Sequence, residues 1–151
     1  MSDELAFAGF NNWLRNEDTF SEADASLLLA EEVGGMDLCG TELVVLSACR
    51  SAGGEIRHRE GVFGLRRAFA MAGARTLVVS LWAIPDDETA LLVEDMYRRL
   101  AQGAGRSQAL RDAQLALRQS NPDPYFWASF VCQGASGPLR CLSFPIEEEK
   151  P

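Results

Sequence analysis

Residues 43–55 read L-V-V-L-S-A-C-R-S-A-G-G-E, and this stretch decides the fold. Leu43 to Ala48 runs without a charge into Cys49, and a loop of small residues and glycines follows at once. A continuous apolar strand, rather than one that alternates with polar residues, is typical of a parallel sheet covered by helices on both faces. The stretch therefore predicts a buried strand that carries a thiol at its carboxyl end.

Cys49 has two interpretations at this stage. In open α/β sheets the ligand crevice lies outside the carboxyl ends of the strands, which makes Cys49 a candidate nucleophile. Gly53 and Gly54 allow the following loop to turn sharply and to bring backbone amides close to a bound group, as an oxyanion requires. The alternative is that Cys49 is a small buried hydrophobe, since free cysteine is among the most buried residue types.

Two further uncharged runs, Thr76 to Trp82 and Phe126 to Cys132, have the composition of strands. Segments of helical length separate the three runs, and this alternation predicts an α/β fold. We expect a three-layer sandwich with a mostly parallel sheet, in which the three strands are neighbours in chain order. All three would then deliver their carboxyl ends to one crevice.

The rest of the chain supplies weaker signals. Leu5 to Phe10 is a short apolar run with strand character. Capping residues, apolar periodicity and glycine stops predict helices over residues 22–33 with Ser21 as the N-cap, 62–72 ended by Gly73, 85–100 begun by Pro85, and 107–120 capped by Ser107.

Composition excludes several classes of function. The chain has 151 residues, the length of one ordinary domain. Its four cysteines form no C-x-x-C pair, and its single histidine is too few for the usual zinc clusters, so no metal is predicted. It also lacks both common glycine-rich phosphate loops, so we expect no cofactor and disfavour a small-molecule α/β enzyme.

Charge and hydropathy give expectations about the surroundings of the protein. The amino terminus is acidic where a secretory signal is basic, and no apolar run is long enough to span a membrane. We expect a soluble, cytoplasmic protein with reduced thiols. The net charge of −8 disfavours a nucleic-acid surface. A local basic patch beside the loop is still expected from four arginines, Arg57, Arg59, Arg66 and Arg67.

Four motifs in order give the chain a family resemblance. They are T-E-L-V-V-L-S-A-C-R-S-A-G-G-E at 41–55, E-G-V-F-G-L-R-R-A-F-A-M-A-G-A-R at 60–75, S-L-W-A-I-P-D-D-E-T-A at 80–90 and P-Y-F-W-A-S-F-V at 124–131. With these motifs the sequence resembles the CHAT domain, a caspase-like cysteine peptidase domain often found attached to TPR repeats. The resemblance covers roughly residues 5–134.

The resemblance implies a caspase-like fold, a protein or peptide substrate, and Cys49 as the nucleophile in the family's A-C-x-x-G pattern. It implies TPR repeats upstream as partners. We expect residues 1–151 to be the carboxyl-terminal part of such a domain, with residues 135–151 as a loop, a weak strand at Leu139 to Phe144 and an acidic tail.

One departure from the family pattern concerns the catalytic base. In the family a His-Gly pair ends the strand before the segment that Leu5 to Asn11 resembles, and nothing before Leu5 here matches it. We therefore expect the isolated chain to be inactive and to need the missing amino-terminal half of the domain. His58 is a candidate substitute base, nine residues after Cys49. Its arginine neighbours favour instead a solvated loop tip.

Asp86 and Asp87 have two interpretations as well. They are candidates for selecting a basic side chain of a bound peptide, as acidic residues do in several caspase-like peptidases. The plainer role is to cap the following helix. Trp82 and Trp127 are similarly expected to be core residues rather than a platform for substrate.

Two functions from different classes compete. One is the carboxyl-terminal part of a cysteine endopeptidase, and the other is a degenerate CHAT module that binds a partner protein without catalysis. If the missing strands flank the Cys49 strand, that strand is left at an edge, and exposed edges pair with other chains. We then expect a homodimer formed by edge pairing, unless Leu5 to Phe10 folds back over the edge.

Overall fold

The computed structural model of the chain describes residues 4–6, 27–47 and 58–140. The strands in this part of the chain form two sheets. One contains β1 (Glu4–Ala6) and β2 (Leu27–Leu29), and the other contains β3 (Val44–Leu46), β4 (Thr76–Ser80) and β5 (Phe130–Gly134) in that order. The helices described are α1 (Ala30–Gly34), α2 (His58–Met71), α3 (Asp86–Ala101), α4 (Arg106–Ser120) and α5 (Pro124–Trp127). The predicted α/β class and the chain-order arrangement of the three strands are confirmed.

β4 is the middle strand of the larger sheet and its most buried element. All five of its residues are buried, including the polar Thr76 and Ser80. An uncharged, β-branched run packs well in a sheet covered on both faces. β3 is only half-buried along its length, so the strand that leads to Cys49 lies at an edge of the described sheet.

The third predicted strand is wrong over its first residues. Residues 124–127 form the single turn α5, and the strand begins only at Phe130. The Asp123 side chain accepts a hydrogen bond from the Tyr125 amide at 2.9 Å, and Pro124 occupies the first helical position. This cap and this proline start a helix despite the aromatic residues that favour a strand.

The pairing of β4 with β5 departs from the predicted parallel sheet. Leu81, directly after β4, donates its amide to the carbonyl of Ser129, directly before β5, at 2.7 Å. A bond that joins the end of one strand to the start of its neighbour is the arrangement of an antiparallel pair. The cause is the connection, because α3 and α4 pack together, joined by residues 102–105, and return the chain to the end of the sheet that it left. The expectation that all three carboxyl ends meet is therefore wrong for β5.

The helix predicted over residues 22–33 is corrected in the same way. Leu27–Leu29 is a strand, paired antiparallel with Glu4–Ala6, and the helix begins only at Ala30. The Glu32 carboxylate accepts a hydrogen bond from the Leu29 amide at 2.8 Å, which replaces the expected Ser21 cap. Long-range pairing with β1 thus overrides the local signals. Ser21 and residues 22–26 lie outside the described residues.

The other predicted helices are confirmed with changes at their ends. Gly73 follows α2 with a φ of +101°, a left-handed conformation that suits the end of a helix. α3 begins directly after Pro85 as predicted. The N-cap of α4 is Gly105, which has no side chain to cap the helix. Ser107 lies inside the first turn and is not the cap.

The described residues belong to two compact units, Met1–Val44 with Ala48–Leu77, and Val45–Ser47 with Val78–Pro151. In the first unit α1 packs against α2, where Val33, Leu65 and Phe69 are buried. In the second unit α3 packs against α4. The buried face there combines large residues of α3 with small residues of α4, namely Leu92, Met96, Leu100, Ala109 and Ala113. Small residues on one helix allow the two axes to approach closely.

Candidate functional site

The predicted nucleophile, Cys49, lies three residues after the end of β3 in the sequence. β3 ends at Leu46 and is followed by the exposed Ser47. Cys49, Gly53 and Gly54 lie outside the described residues, so their roles stay predictions.

His58 is the first residue of α2. The expectation of a loop tip at this position is corrected, because the backbone there is already helical. The side chain of His58 lies outside the described residues, so its role as a substitute base stays untested.

The two cysteines within the described residues, Cys39 and Cys132, both have raised pKa values. Hydrogen bonding to the Asp37 carboxylate, followed by its negative charge, raises the pKa of Cys39. Burial raises the pKa of Cys132, opposed in part by the positive charge of Arg106. A raised thiol pKa lowers the fraction of reactive thiolate at neutral pH. The raised pKa values make Cys39 and Cys132 weaker nucleophile candidates than an ordinary thiol.

The segment from Leu81 to Pro85, which joins β4 to α3, is tied to α5. The Trp82 indole Nε1–H donates to the carbonyl of Tyr125 at 2.8 Å. In return the Tyr125 hydroxyl donates to the carbonyl of Ala83 at 2.8 Å. Together with the bond between Leu81 and Ser129, these contacts fix the backbone that leaves the buried strand.

This tied segment carries exposed apolar surface. Leu81, Trp82 and Tyr125 are 42%, 36% and 48% exposed. Trp82 is therefore not the core residue that we expected from the sequence. Trp127 fits the expectation better, since it is partly buried and the guanidinium of Arg118 lies 5.5 Å from its ring centroid.

Asp86 and Asp87 are the first residues of α3, and both are exposed. No side-chain hydrogen bond caps this helix, because its N-cap is Pro85. Their capping role is thus limited to the favourable placement of negative charge at the positive end of the helix dipole. Both carboxylates remain accessible to a cation, within a few residues of Trp82.

The described residues contain neither a metal-binding cluster nor a helix that could span a membrane. No group of three or more histidine, cysteine, aspartate or glutamate side chains in this part of the chain is arranged to hold a metal ion. None of the helices in the described residues is both long and apolar enough to cross a membrane.

Comparison with known proteins agrees with the four motifs. The family model described as the CHAT domain matches residues 3–135. The chain belongs to the CHAT domain family. This CHAT domain is 32% identical over 119 residues to tetratricopeptide repeat protein 28 of Homo sapiens, and 33% identical over 104 residues to the protein of the same name from Mus musculus.

These alignments cover most of the chain and little of the relatives. They include 78% and 68% of the CHAT chain, but only 5% and 4% of the two tetratricopeptide repeat proteins. The chain therefore spans about one-twentieth of the length of the curated relatives that it matches. The name of the relatives agrees with the expected association between CHAT domains and TPR repeats.

Sequence reasoning missed Tyr125 and the helix that carries it. The signal was present in N-P-D-P at 121–124, where an aspartate precedes a proline in the order of N-cap and first helical residue. The aromatic run Tyr125 to Trp127 instead favoured a strand. Because α5 directly precedes the antiparallel β5, the amino end of β5 lies beside the carboxyl end of β4.

Proposed function

We propose that this CHAT domain is the nucleophile-bearing part of a caspase-like cysteine endopeptidase, with Cys49 as the nucleophile. The observation that carries the proposal is the family match over residues 3–135, which includes the A-C-x-x-G pattern directly after β3. The Cys49 thiolate attacks the scissile carbonyl, and backbone amides of the loop with Gly53 and Gly54 stabilise the oxyanion that forms.

The strand arrangement supports a parallel pairing of β3 with β4. Among the described residues, one helix, α2, lies between β3 and β4, and the Arg75 amide donates to the Thr41 carbonyl at 3.0 Å just before both strands begin. Two strands that begin next to each other and are joined through a helix are typical of a parallel pair. We accordingly propose that β3 and β4 are parallel and that their carboxyl ends form one edge of the site.

The substrate that we propose is an extended peptide with a basic side chain. Asp86 and Asp87 offer two exposed carboxylates at the start of α3. The apolar faces of Leu81 and Trp82 offer contact area for a neighbouring side chain of the peptide. Lysine or arginine beside an apolar residue satisfies both the charge and the apolar surface.

The catalytic base is proposed to come from a segment that ends in His-Gly, supplied in cis or in trans. His58 is the single histidine of residues 1–151, and its position at the start of α2 gives it no described link to the end of β3. A base is needed to hold the thiolate and to protonate the leaving amine. We further propose that TPR repeats present this domain to its substrate in the reducing cytoplasm.

A covalent probe tests this function. The chain joined to a His-Gly segment is treated with peptidyl chloromethyl ketones that end in lysine or in leucine, and the labelled residue is identified by mass spectrometry. We expect labelling at Cys49, faster with lysine. The double variant Asp86→Asn/Asp87→Asn should lose the lysine preference, whereas the exposed Glu94→Gln control on the same helix keeps it. Equal rates with both probes in the unmodified protein would contradict the proposed specificity.

The second candidate function is a binding module without catalysis, and the edge strand favours it. Val44, Val45 and Leu46 of β3 are half-buried, and in the described sheets β1 pairs with β2 rather than with β3. The opposite edge is better protected, because the Gln114 side chain donates to the Phe130 carbonyl at 2.9 Å. An unprotected edge of apolar residues recruits another strand. The strand partner that we propose is either a strand of the His-Gly segment or a second copy of this chain.

A further inference from the structure

Trp82 and Tyr125 each donate a hydrogen bond to the segment that carries the other, and we call this reciprocal pair of bonds the indole–tyrosine clamp. Each side chain donates to a backbone carbonyl of the other segment, Trp82 to Tyr125 and Tyr125 to Ala83, both at 2.8 Å. Breaking either bond leaves the other in place. Two independent bonds in opposite directions therefore fix both the position of the segment and the orientation of the indole.

The α5 side of the clamp is itself held firmly. Asp123 caps the Tyr125 amide at 2.9 Å, and the Ala128 amide donates to the Pro124 carbonyl at 2.9 Å. The Tyr125 ring also meets the ring of Phe126 edge-on, with centroids 5.2 Å apart. Tyr125 thus transmits the fixed position of α5 to a segment that is not part of the sheet.

The clamp lies at the surface, where a hydrogen bond adds little to global stability. Both rings keep a third or more of their surface exposed to solvent. A typical exchange of a water hydrogen bond for an internal one has a small net effect on folding. Its larger effect is on geometry, because a segment without sheet partners otherwise samples many backbone conformations.

We propose that Tyr125 is a positioning residue that acts through Trp82 and Ala83 to hold the peptide site in its binding conformation. This inference rests on the proposed function and adds to it a residue on α5 that touches no substrate. With the clamp closed, the Trp82 face and the Asp86 and Asp87 carboxylates keep fixed relative positions. Without it, a peptide must order the segment when it binds, and its affinity falls.

The test compares Tyr125→Phe with Tyr97→Phe, a matched control on α3. Tyr97 is 45% exposed, close to the exposure of Tyr125, and no hydrogen bond of its hydroxyl is described. Amide hydrogen exchange of residues 81–89 is the first readout, because the Leu81 and Thr89 amides both donate hydrogen bonds there. We expect Tyr125→Phe to raise exchange in this peptide about two- to tenfold, the effect of losing one net hydrogen bond, with Tyr97→Phe unchanged.

A second variant and a second readout sharpen the test. Trp82→Phe removes the other donor and should raise exchange over the same residues. In the chain joined to a His-Gly segment, Tyr125→Phe should raise KM for a lysine peptide and leave kcat nearly unchanged, since the reacting groups are intact.

The outcomes separate this inference from the proposed function. Equal exchange in Tyr125→Phe and Tyr97→Phe overturns the clamp whatever the activity. Faster exchange with an unchanged KM overturns the positioning role. If the unmodified joined protein cleaves no peptide, the proposed function fails and the peptide-site role fails with it, while the exchange data still decide whether the clamp orders residues 81–85.

Discussion

Asp37 and Cys39 form a local pair in the turn that precedes β3. The Asp37 carboxylate accepts a hydrogen bond from the Cys39 amide at 3.1 Å, and bonding to Cys39 lowers the pKa of Asp37. The same carboxylate raises the pKa of the Cys39 thiol, chiefly through a side-chain hydrogen bond. Cys39 is exposed, so its raised pKa depends on this neighbour more than on burial.

The first prediction follows from that pair. Asp37→Asn keeps an oxygen acceptor for the amide but removes the negative charge, so the pKa of Cys39 should fall. Because thiolate is the reactive form, alkylation of Cys39 by iodoacetamide at pH 8 should become faster. Cys132 is the internal control, since burial governs its pKa and should hold its rate constant. Site-resolved mass spectrometry measures both rates, and an unchanged Cys39 rate would contradict the assignment.

The second prediction concerns Gly73, which combines two constraints. Its φ is +101°, and a Cβ built on it would lie 2.8 Å from the Cys39 sulfur and 3.0 Å from the Cys39 nitrogen. Gly103 has a φ of +87° but open space around it. Gly103→Ala therefore introduces backbone strain alone, about 1 kcal/mol or somewhat more. Gly73→Ala adds a steric clash and should lose more free energy of unfolding.

Urea denaturation of both variants measures the difference. Gly34→Ala serves as a baseline, because Gly34 has neither a positive φ nor an atom within 4 Å of the added Cβ. Equal losses for Gly73→Ala and Gly103→Ala would show that Cys39 moves away at no cost.

At the scale of the elements, an ion-pair network links α3 to α4. Asp95 is 8% exposed and accepts hydrogen bonds from Arg98 and Arg99, one turn further along the same helix. The Nη1 atom of Arg99 also lies 3.8 Å from the Oδ2 atom of Asp112 in α4. The aspartate precedes both arginines, the order that favours pairs at a spacing of three or four residues.

The third prediction ranks the two carboxylates. Asp95→Asn removes a nearly buried charge with two partners, whereas Asp112 is a third exposed and lies farther from Arg99. We expect Asp95→Asn to cost about 1–3 kcal/mol of unfolding free energy, and Asp112→Asn less than about 1 kcal/mol. The urea midpoints of the two variants provide the test. A larger loss in Asp112→Asn would mean that the interhelical contact dominates the network.

The elements also show what sequence reasoning can reach. The periodicity of α2, the proline start of α3 and the unbroken run of β4 were sufficient to place these elements, because each rests on local chemistry. β2 was not predictable in this way, since Leu27–Leu29 becomes a strand only by pairing with β1, more than twenty residues earlier. The direction of β5 depends instead on the connection from β4, in which α3, α4 and α5 intervene and α3 packs against α4.

At the scale of the whole molecule, the edge position of β3 in the described sheet leads to a prediction about association with other chains. The fourth prediction is that residues 1–151 alone form a dimer or larger assembly by pairing along β3, because apolar backbone edges associate. Val45→Lys should shift the protein toward the monomer, since an edge lysine opposes strand pairing. Light scattering across a wide concentration range, with circular dichroism to check folding, measures this. A stable monomer of the unmodified chain would contradict edge pairing.

The candidate site was accessible from sequence only in part. The strand run, Cys49 and the glycine loop point to a nucleophile because small residues after an apolar strand are a local signal. The exposure of Trp82 and the two bonds of the indole–tyrosine clamp could not be predicted from the sequence. They depend on the antiparallel return of β5, which places α5 at the carboxyl end of β4. Residues 43 positions apart along the chain meet there.

The central proposal is that this CHAT domain carries an endopeptidase nucleophile, Cys49, and that its base comes from a segment that ends in His-Gly. The most direct measurement is a peptide-library digest by the chain alone and by the chain joined to a strand ending in His-Gly, each beside its Cys49→Ala variant. We predict no cleavage by the chain alone, because in this proposal the His-Gly segment supplies the proton donor and an oxyanion-hole amide, and the loss of one such donor can by itself cost about 10²–10³ in rate. We predict cleavage by the joined protein that Cys49→Ala abolishes. Cleavage by the chain alone that Cys49→Ala abolishes would contradict the missing base, and an inactive joined protein would contradict the endopeptidase.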